Sequence, residues 1–430
     1  MQNNKKLTIA IAVALGTLST PAFSAGFQLA EYSATGLGRA FAGEAAMADN
    51  ASAQFRNPAM MTYLEGTQIS VGGIYVSPNI DIEGTNTTLN KATSAKNMAN
   101  GALVPNFYLT HQFNEKWTAG FAVGTNFGMS TKLDDSFLGT QFGNEASITT
   151  VEVNPNIAYK INDQFSVGGG VRFVMGEGSI GATNSMDNAL GFVPKGTTLK
   201  YMEGDDTAWG WQAGAAWQLN ENNRVGFNYR SEVDLNLEGH ANGFGFNPHN
   251  PAQKFAGSME LVLPASAELA SFHQLNKQWA LHTSINWTDW SQFEKLEAHI
   301  PALSKPNQLV KQENWKDSYR FAVGTTYQLD SKTQLRTGFA WDRSAVSDAN
   351  RTLTIPEMDR YWFSVGYGYQ FTQNLTLDAG VTYILGNKSD VKEARDNIPS
   401  DEQAEMFGGE FKGTVSGDIW LAGVQASYRF

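Results

Sequence analysis

At 430 residues, with a net charge of −11 and no cysteine, the chain excludes disulfides, thiolate metal sites and any nucleic-acid partner recruited by charge. Its mean hydropathy is polar, at −0.32, yet it carries 11 Trp, 14 Tyr and 26 Phe beside 42 Gly. Length alone admits two or three soluble domains, but this mixture fits one large β unit whose lipid-facing apolar residues alternate with polar residues facing a lumen.

The chain opens with a positive stretch at Lys5 and Lys6, an apolar core from Leu7 to Leu18, and small residues around Ala22-Phe23-Ser24. Residues 1–24 therefore read as a secretory signal peptide, with Ala25 as the mature N-terminus. Losing the two lysines takes the net charge to about −13. Beyond the signal there is no run of about 18 uncharged apolar residues, so no inner-membrane helix is expected. The mature chain is expected in the periplasm, in the outer membrane or outside the cell.

Residues 25–66 differ from all that follows. AGFQLAEYSATGLGRAFAGEAAMADNAS and the later RNPAM are rich in Ala and Gly, helical in places, and too short for a core of their own. Gly36, Gly38 and Gly43 interrupt any helix, and their spacing does not suit a GxGxxG nucleotide loop. Asn57-Pro58-Ala59 demands one extended residue and then a turn. Such a segment needs walls from elsewhere, and it reads as a hatch, or plug, held inside a barrel.

From residue 67 to residue 430, alternating segments recur. The candidate strands are 67–77, 103–112, 117–130, 146–160, 165–182, 207–218 and 223–238, followed by 256–270, 278–295, 315–329, 333–344, 358–371, 375–386 and 414–430. The count of about fourteen is even, as an antiparallel membrane barrel of this class requires. In 207–217, Trp209, Trp211, Ala213, Ala215 and Trp217 share one face, while Gly210, Gln212 and Gly214 take the other. In 319–329, Tyr319, Phe321, Val323, Tyr327 and Leu329 alternate with Arg320, Gly324 and Gln328. Short connections near Asn114, Asn162, Asn220, Asp330 and Gln373 alternate with long ones at 78–102, 131–145, 183–206, 239–255, 296–313, 345–357 and 387–413. Short periplasmic turns and long external loops give this rhythm; a soluble sandwich does not. The last strand ends on Tyr428 and Phe430, similar to the signal by which the outer-membrane assembly machinery recognises its clients.

The opening GLGRAFAGE run placed directly after a signal peptide, together with the Asn-Pro-Ala turn, resembles the FadL family of outer-membrane long-chain fatty acid transporters. That family also holds aromatic-hydrocarbon importers of the TodX type. The resemblance implies an all-β, membrane-spanning antiparallel barrel of about 14 strands with an N-terminal hatch, monomeric in the outer membrane of a Gram-negative cell. It implies a long-chain fatty acid or other hydrophobic ligand, with lipid and lipopolysaccharide as surroundings. Lys311 matches a lysine that the family places near the ligand headgroup; without the resemblance it reads as a solvated loop lysine. A partnering arginine is expected where Ala182 stands, so Lys311 serves alone or Lys195 or Lys200 substitutes. The loop 183–206 is shorter than the family's usual one. Asn126-Phe127-Gly128 matches the kinked part of the family's third strand, although the residues alone also admit a glycine packed under a neighbouring ring. Phe27 lies in the stretch that the family lodges beside that kink.

Enzymatic constellations are missing: there is no GxSxG and no HExxH, and His111, His240, His249, His273, His282 and His299 lack metal-ligand spacing. No catalytic residue, metal or cofactor is expected. Uptake of a hydrophobic molecule, with hatch movement and lateral release into the bilayer, is the expected function. A general porin and a barrel lipid hydrolase are the alternatives, the hydrolase requiring a His within reach of a Ser on the wall.

Overall fold

The computed structural model describes residues 26–186, 193–394 and 409–430. The signal peptide expected at 1–24 lies outside the described residues.

Among the described residues fourteen strands form one antiparallel sheet closed on itself. They begin with β1 (Thr67–Asn86), β2 (Ala102–Gln112), β3 (Trp117–Gly124 and Gly128–Lys132), β4 (Glu145–Lys160) and β5 (Phe165–Thr183). Next come β6 (Thr198–Asn220), β7 (Asn223–Arg230 and Val233–Asn242), β8 (Phe255–Leu263 and Ser266–Gln274) and β9 (Trp279–Thr288 and Lys295–His299). The ring ends with β10 (Asn307–Gln312 and Ser318–Gln328), β11 (Thr333–Asp342), β12 (Arg360–Gln370), β13 (Leu375–Gly386, continued by Ser389–Glu393) and β14 (Phe411–Arg429). Each strand pairs with its neighbours in sequence, and β14 closes on β1 with Gln68 opposite Arg429. Closure leaves no sheet edge, the condition for a strand to cross hydrocarbon.

Polarity along the outward face marks the bilayer. On β6, Trp209, Trp211, Ala213, Ala215 and Trp217 point out, Trp209 being 66% exposed, while Glu203, Asp205 and Thr207 occupy the same face further up. On β14 the change falls at Trp420, with Lys412, Thr414, Ser416 and Asp418 above it and Ala422, Val424, Ala426 and Tyr428 below. From Trp420 to Phe430 is about 33 Å of strand, which at a tilt of about 40° spans roughly 25 Å of hydrocarbon. Ring pairs bound this band on both sides: Trp117–Tyr159, Phe165–Trp217 and Trp279–Tyr327 at the short-turn end, and Phe173–Trp209, Phe321–Trp341 and Tyr383–Trp420 at the long-loop end. Amphipathic rings favour these levels.

Several strands run further than their apolar alternation suggests. β1 continues nine residues past Ser77 to Asn86, burying Ile80 and Ile82 inside while Asp81 and Glu83 face outward. Period two persists there with its polarity inverted, because the wall has left lipid for water. Lys91–Ala95 folds back onto this extension, Ala95 opposite Ile82.

Residues 26–66 hold no barrel strand. They form two helical turns, Ala34–Leu37 and Ala53–Arg56, and two 3₁₀ turns, Glu44–Ala46 and Pro58–Tyr63. Helices this short are unstable alone, and their terminal carbonyls need partners. Arginines of the wall supply them: Arg224 of β7 donates to Ala46 O (2.8 Å), Arg230 of β7 to Phe55 O (2.6 Å) and Arg320 of β10 to Ala40 O (2.6 Å). The wall also offers glycines where the segment's backbone presses against it. A Cβ on Gly226 of β7 would fall on the Ala45 carbonyl, and one on Gly338 of β11 on the Arg39 carbonyl.

Gly338→Ala should therefore destabilise the folded protein by about 1–3 kcal/mol through overpacking. The lipid-facing Gly73→Ala, where the nearest atom is a flexible end of Leu103 at 3.3 Å, should change little. Heat-dependent mobility on denaturing gels checks this, the Gly338 variant unfolding at a lower temperature than both wild type and the Gly73 variant.

Candidate functional site

β3 is broken between Gly124 and Gly128, and the three residues 125–127 stand against two of β4, Thr150 and Val151. Below the break, β3 pairs on both sides, with Val123 opposite Phe107 of β2 and opposite Val153 of β4. Above it, Gly128–Lys132 pairs with β4, and the other side carries an isolated bridge from Thr131 to Ala99. The bulge has turned the strand inward and parted it from β2.

The backbone groups freed by this departure are met by the N-terminal segment. Leu29 N–H donates to Asn126 O (2.6 Å), and Gly128 N–H donates to Phe27 O (2.8 Å). Gln28 and Phe127 between them form an isolated antiparallel bridge. On the other side Phe127 N–H donates to Thr150 Oγ1 (3.2 Å), whose hydroxyl donates back to Phe127 O (2.7 Å). Asn126 is anchored by its side chain, which donates to Glu152 Oε2 at 2.7 Å. The same carboxylate pairs with Arg172 (3.0 Å) and Arg230, so a buried, hydrogen-bonded ion triad holds the kink.

Phe27 lies at the centre of a ring cluster. Its ring meets Trp290 at 4.7 Å, Phe293 at 5.6 Å, and Phe127 and Trp315 at 6.1 Å, the first two edge to face. Edge-to-face pairs at such spacing add to the packing beyond their area. β9 is expected to run unbroken through 278–295 and β10 to begin at 315 after a loop, but β9 stops at Thr288 for a 3₁₀ turn, Trp290–Gln292, and β10 already starts at Asn307, breaks after Gln312 and resumes at Ser318. These breaks turn Trp290, Phe293 and Trp315 inward. The sequence holds a trace of this: Trp287, Trp290 and Phe293 recur every third residue, which no strand sustains. From the loop between β11 and β12, Glu357 reaches the same place; burial pushes its carboxyl up to about 7, against the pull of Arg360 and a hydrogen bond from the Gly26 backbone.

Lys311 is buried, not a solvated loop residue. Leu296 of β9 stands opposite Lys311 and Glu297 opposite Leu309, so Val310 is an extra residue in the ladder. This bulge points both Val310 and Lys311 inward. Lys311 pairs with Glu393 at the end of the β13 continuation and reaches Phe142 O at 3.4 Å. Glu393 in turn accepts from Leu353 N–H at 2.6 Å. Ala182 is buried opposite Lys200, whose ammonium donates to Val310 O at 3.1 Å, while Lys195 is exposed. Lys200 is thus the basic residue brought beside Lys311.

Asn57 is extended (φ −151°), and Pro58 starts the 3₁₀ turn Pro58–Tyr63. The Asn57 side chain accepts from Ala59 N–H (3.0 Å) and donates to Ala45 O (2.6 Å) and Ala215 O (3.0 Å), joining the turn to β6. Tyr428 and Phe430 are exposed on the outer wall, away from the ring cluster.

One His does reach a Ser. His273 Nε2 lies 3.0 Å from Ser271 Oγ, and Nδ1 lies 2.6 Å from Asn223 Oδ1. Ser271 also shares its hydroxyl with Thr283 at 2.7 Å. Both ladders of β8 are complete there, with Ser271 opposite Val225 and Thr283, so no adjacent amide is left to bind an oxyanion. The group is a polar cluster near the short-turn rim.

The family model described as outer membrane protein transport protein (OMPP1/FadL/TodX) matches residues 15–430. The long-chain fatty acid transport protein of Escherichia coli (strain K12) is 34% identical over 436 residues, covering 94% of this chain and 97% of that protein. Outer membrane protein P1 of Haemophilus influenzae is 34% identical over 466 residues, covering 100% and 99%. Among solved structures, a Pseudomonas aeruginosa FadL homologue superposes with a TM-score of 0.82 at 23% identity, covering 94% of this chain and all of the other, a likeness of fold.

Removing Trp290 should loosen the ring cluster by about 3–5 kcal/mol. Trp290→Ala should therefore speed hydrogen exchange at residues 27–29 and 126–128 and leave 207–217 unchanged, as followed by mass spectrometry in detergent. Uniform exchange across all three stretches would show that the cluster does not hold the segment to the kink.

Proposed function

The chain belongs to the OMPP1/FadL/TodX family of outer membrane transport proteins, and from that premise we propose that it carries long-chain fatty acids or related hydrophobic molecules inward across the outer membrane. The observation that carries the reading is the parting of β3 from β2 at Asn126-Phe127-Gly128, with Phe27, Gln28 and Leu29 seated in the gap. A continuous wall serves an aqueous pore equally well; a break lined with rings serves a solute that leaves sideways.

Released at the periplasmic end, an acyl chain would expose its methylenes to water at roughly 0.8 kcal/mol each. For about sixteen carbons that exceeds 10 kcal/mol, so exit into the bilayer is strongly favoured. In this mechanism the ligand enters from the long loops and places its headgroup at Lys311. Its tail enters the ring cluster in place of the Phe27 ring. Moving Phe27 draws Gln28 off Phe127, and the segment acts as a hatch whose withdrawal opens the gap. Domain limits follow the same reading: signal peptide to residue 24, hatch over 25–66, barrel over 67–430. Asn57-Pro58-Ala59 is the turn that keeps the rest of the hatch on the wall, and Tyr428 and Phe430 serve recognition by the assembly machinery.

Gln28 and Phe127 form a non-hydrogen-bonded antiparallel pair, whose Cα atoms lie about 4.5 Å apart, within the reach of a disulfide. The chain has no other cysteine. Gln28→Cys with Phe127→Cys, when oxidised, should hold oleate more weakly in detergent and fail to support uptake in cells, and reduction should restore both. Uptake by the oxidised form equal to the reduced form would overturn lateral exit through this gap.

A charge-assisted hydrogen bond to the ligand carboxylate is worth about 1–3 kcal/mol. Lys311→Ala should therefore weaken oleate binding by roughly 5- to 150-fold with little effect on oleyl alcohol. Equal loss for both, or none for either, would remove Lys311 from the headgroup role.

A further inference from the structure

The seat of Lys311 already contains a carboxylate. Lys311 and Glu393 have side chains 4% and 5% exposed, and they pair directly. Three long connections close over them: Phe142 from the β3–β4 loop, Leu353 from the β11–β12 loop, and Glu393 itself. One Glu393 oxygen is held by Leu353 N–H, and the other faces the ammonium. A buried ammonium that loses its partner is destabilised by several kcal/mol. A second carboxylate brought beside the pair would be repelled by the first. The ligand's carboxylate and the Glu393 carboxylate therefore cannot both use Lys311 at full strength.

Glu393 is also placed where it can leave. It is the last residue of the five-residue ribbon Ser389–Glu393, and its partner Phe411 is the first residue of β14. A terminal ladder pair opens at lower free energy than the strands below it. Resting on the reading of Lys311 as the headgroup partner, we propose that Glu393 is a resident competitor. It neutralises Lys311 in the ligand-free protein and is expelled by the carboxylate of an incoming acid. The exchange conserves one ion pair, so an anionic amphiphile meets a prepared cation that is never left bare. A neutral amphiphile has nothing with which to displace Glu393, which makes this residue a determinant of headgroup specificity and couples binding to release of the ribbon's end.

The test uses the full mature protein in detergent, with oleate and oleyl alcohol as probes. Glu393→Gln keeps the shape and the acceptor for Leu353 N–H but removes the competing charge. It should tighten oleate binding by roughly 5- to 150-fold, the reverse of losing such a bond, and leave oleyl alcohol unchanged. In the Lys311→Ala background the same change should have no effect on oleate. Glu393→Asp, shorter by one methylene, should tighten oleate in part, and it stands in if the Gln variant does not assemble. Oleate binding by the Gln and Asp variants that is unchanged or weaker, while Lys311→Ala still loses oleate selectively, would overturn the competitor and leave the headgroup reading intact. Lys311→Ala losing both probes equally would overturn both.

Discussion

Inside a bilayer, an amide or carbonyl without a partner costs several kcal/mol, because hydrocarbon offers none. The departure of β3 from β2 is therefore possible only if something supplies the missing bonds. Two sources do so here: the hydroxyl of Thr150 from the neighbouring strand, and the backbone of residues 27–29 from inside. The second source is a short piece of extended chain imitating a strand. Two backbone bonds, a hydrogen bond from Thr288 Oγ1 to Gln28 Oε1 (2.7 Å) and one ring cluster tie it to the wall. The bulge, the ring cluster and the position of the N-terminal segment are three parts of that one requirement.

The rest of the segment is held by polar groups of the lumen. Arg224 and Arg230 each place a guanidinium on a carbonyl at a helical turn's end, Arg320 places one on Ala40 O in the turn after the first, and Arg56 of the segment pairs with Glu268 of β8 at 3.1 Å. Thr35 is bonded to Asp378, which in turn pairs with Arg336 at 2.6 Å. These groups are buried and partnered, which favours one seating of the segment over near alternatives.

Period two made most of the wall legible, since Trp209, Trp211 and Trp217 could face only one way once the strand was granted. Beyond the bilayer the same period continues in β1 and β14 with inverted polarity, and apolar alternation alone stops short there. Residues 25–66 stood out because no period fits them, and Asn126-Phe127-Gly128 because glycine interrupts a strand. What fills the kink was not legible from period or spacing, since Phe27 meets it through folding; only the family resemblance put Phe27 beside it. Trp290 and Phe293 left a weak trace in their three-residue interval. Glu393 left none: a glutamate in an outer loop looks solvated until three loops close over it. Lys311 looked solvated for the same reason.

Lys311 faces the lumen as does Leu296 opposite it, and Val310 beside it also faces inward because it is one residue too many for that ladder. In a structure of period two, direction is parity, and a single inserted residue suspends it for one step. The inserted residue therefore changes what lines the space around the charge and not where the charge points. Loss of one codon at Val310 would leave Lys311 opposite Leu296 and still facing inward, while removing from beside it one apolar side chain and the carbonyl that Lys200 holds. Chains built on this plan can reshape the lining around a buried charge through a change of length, and a comparison of relatives by residue identity alone would overlook it.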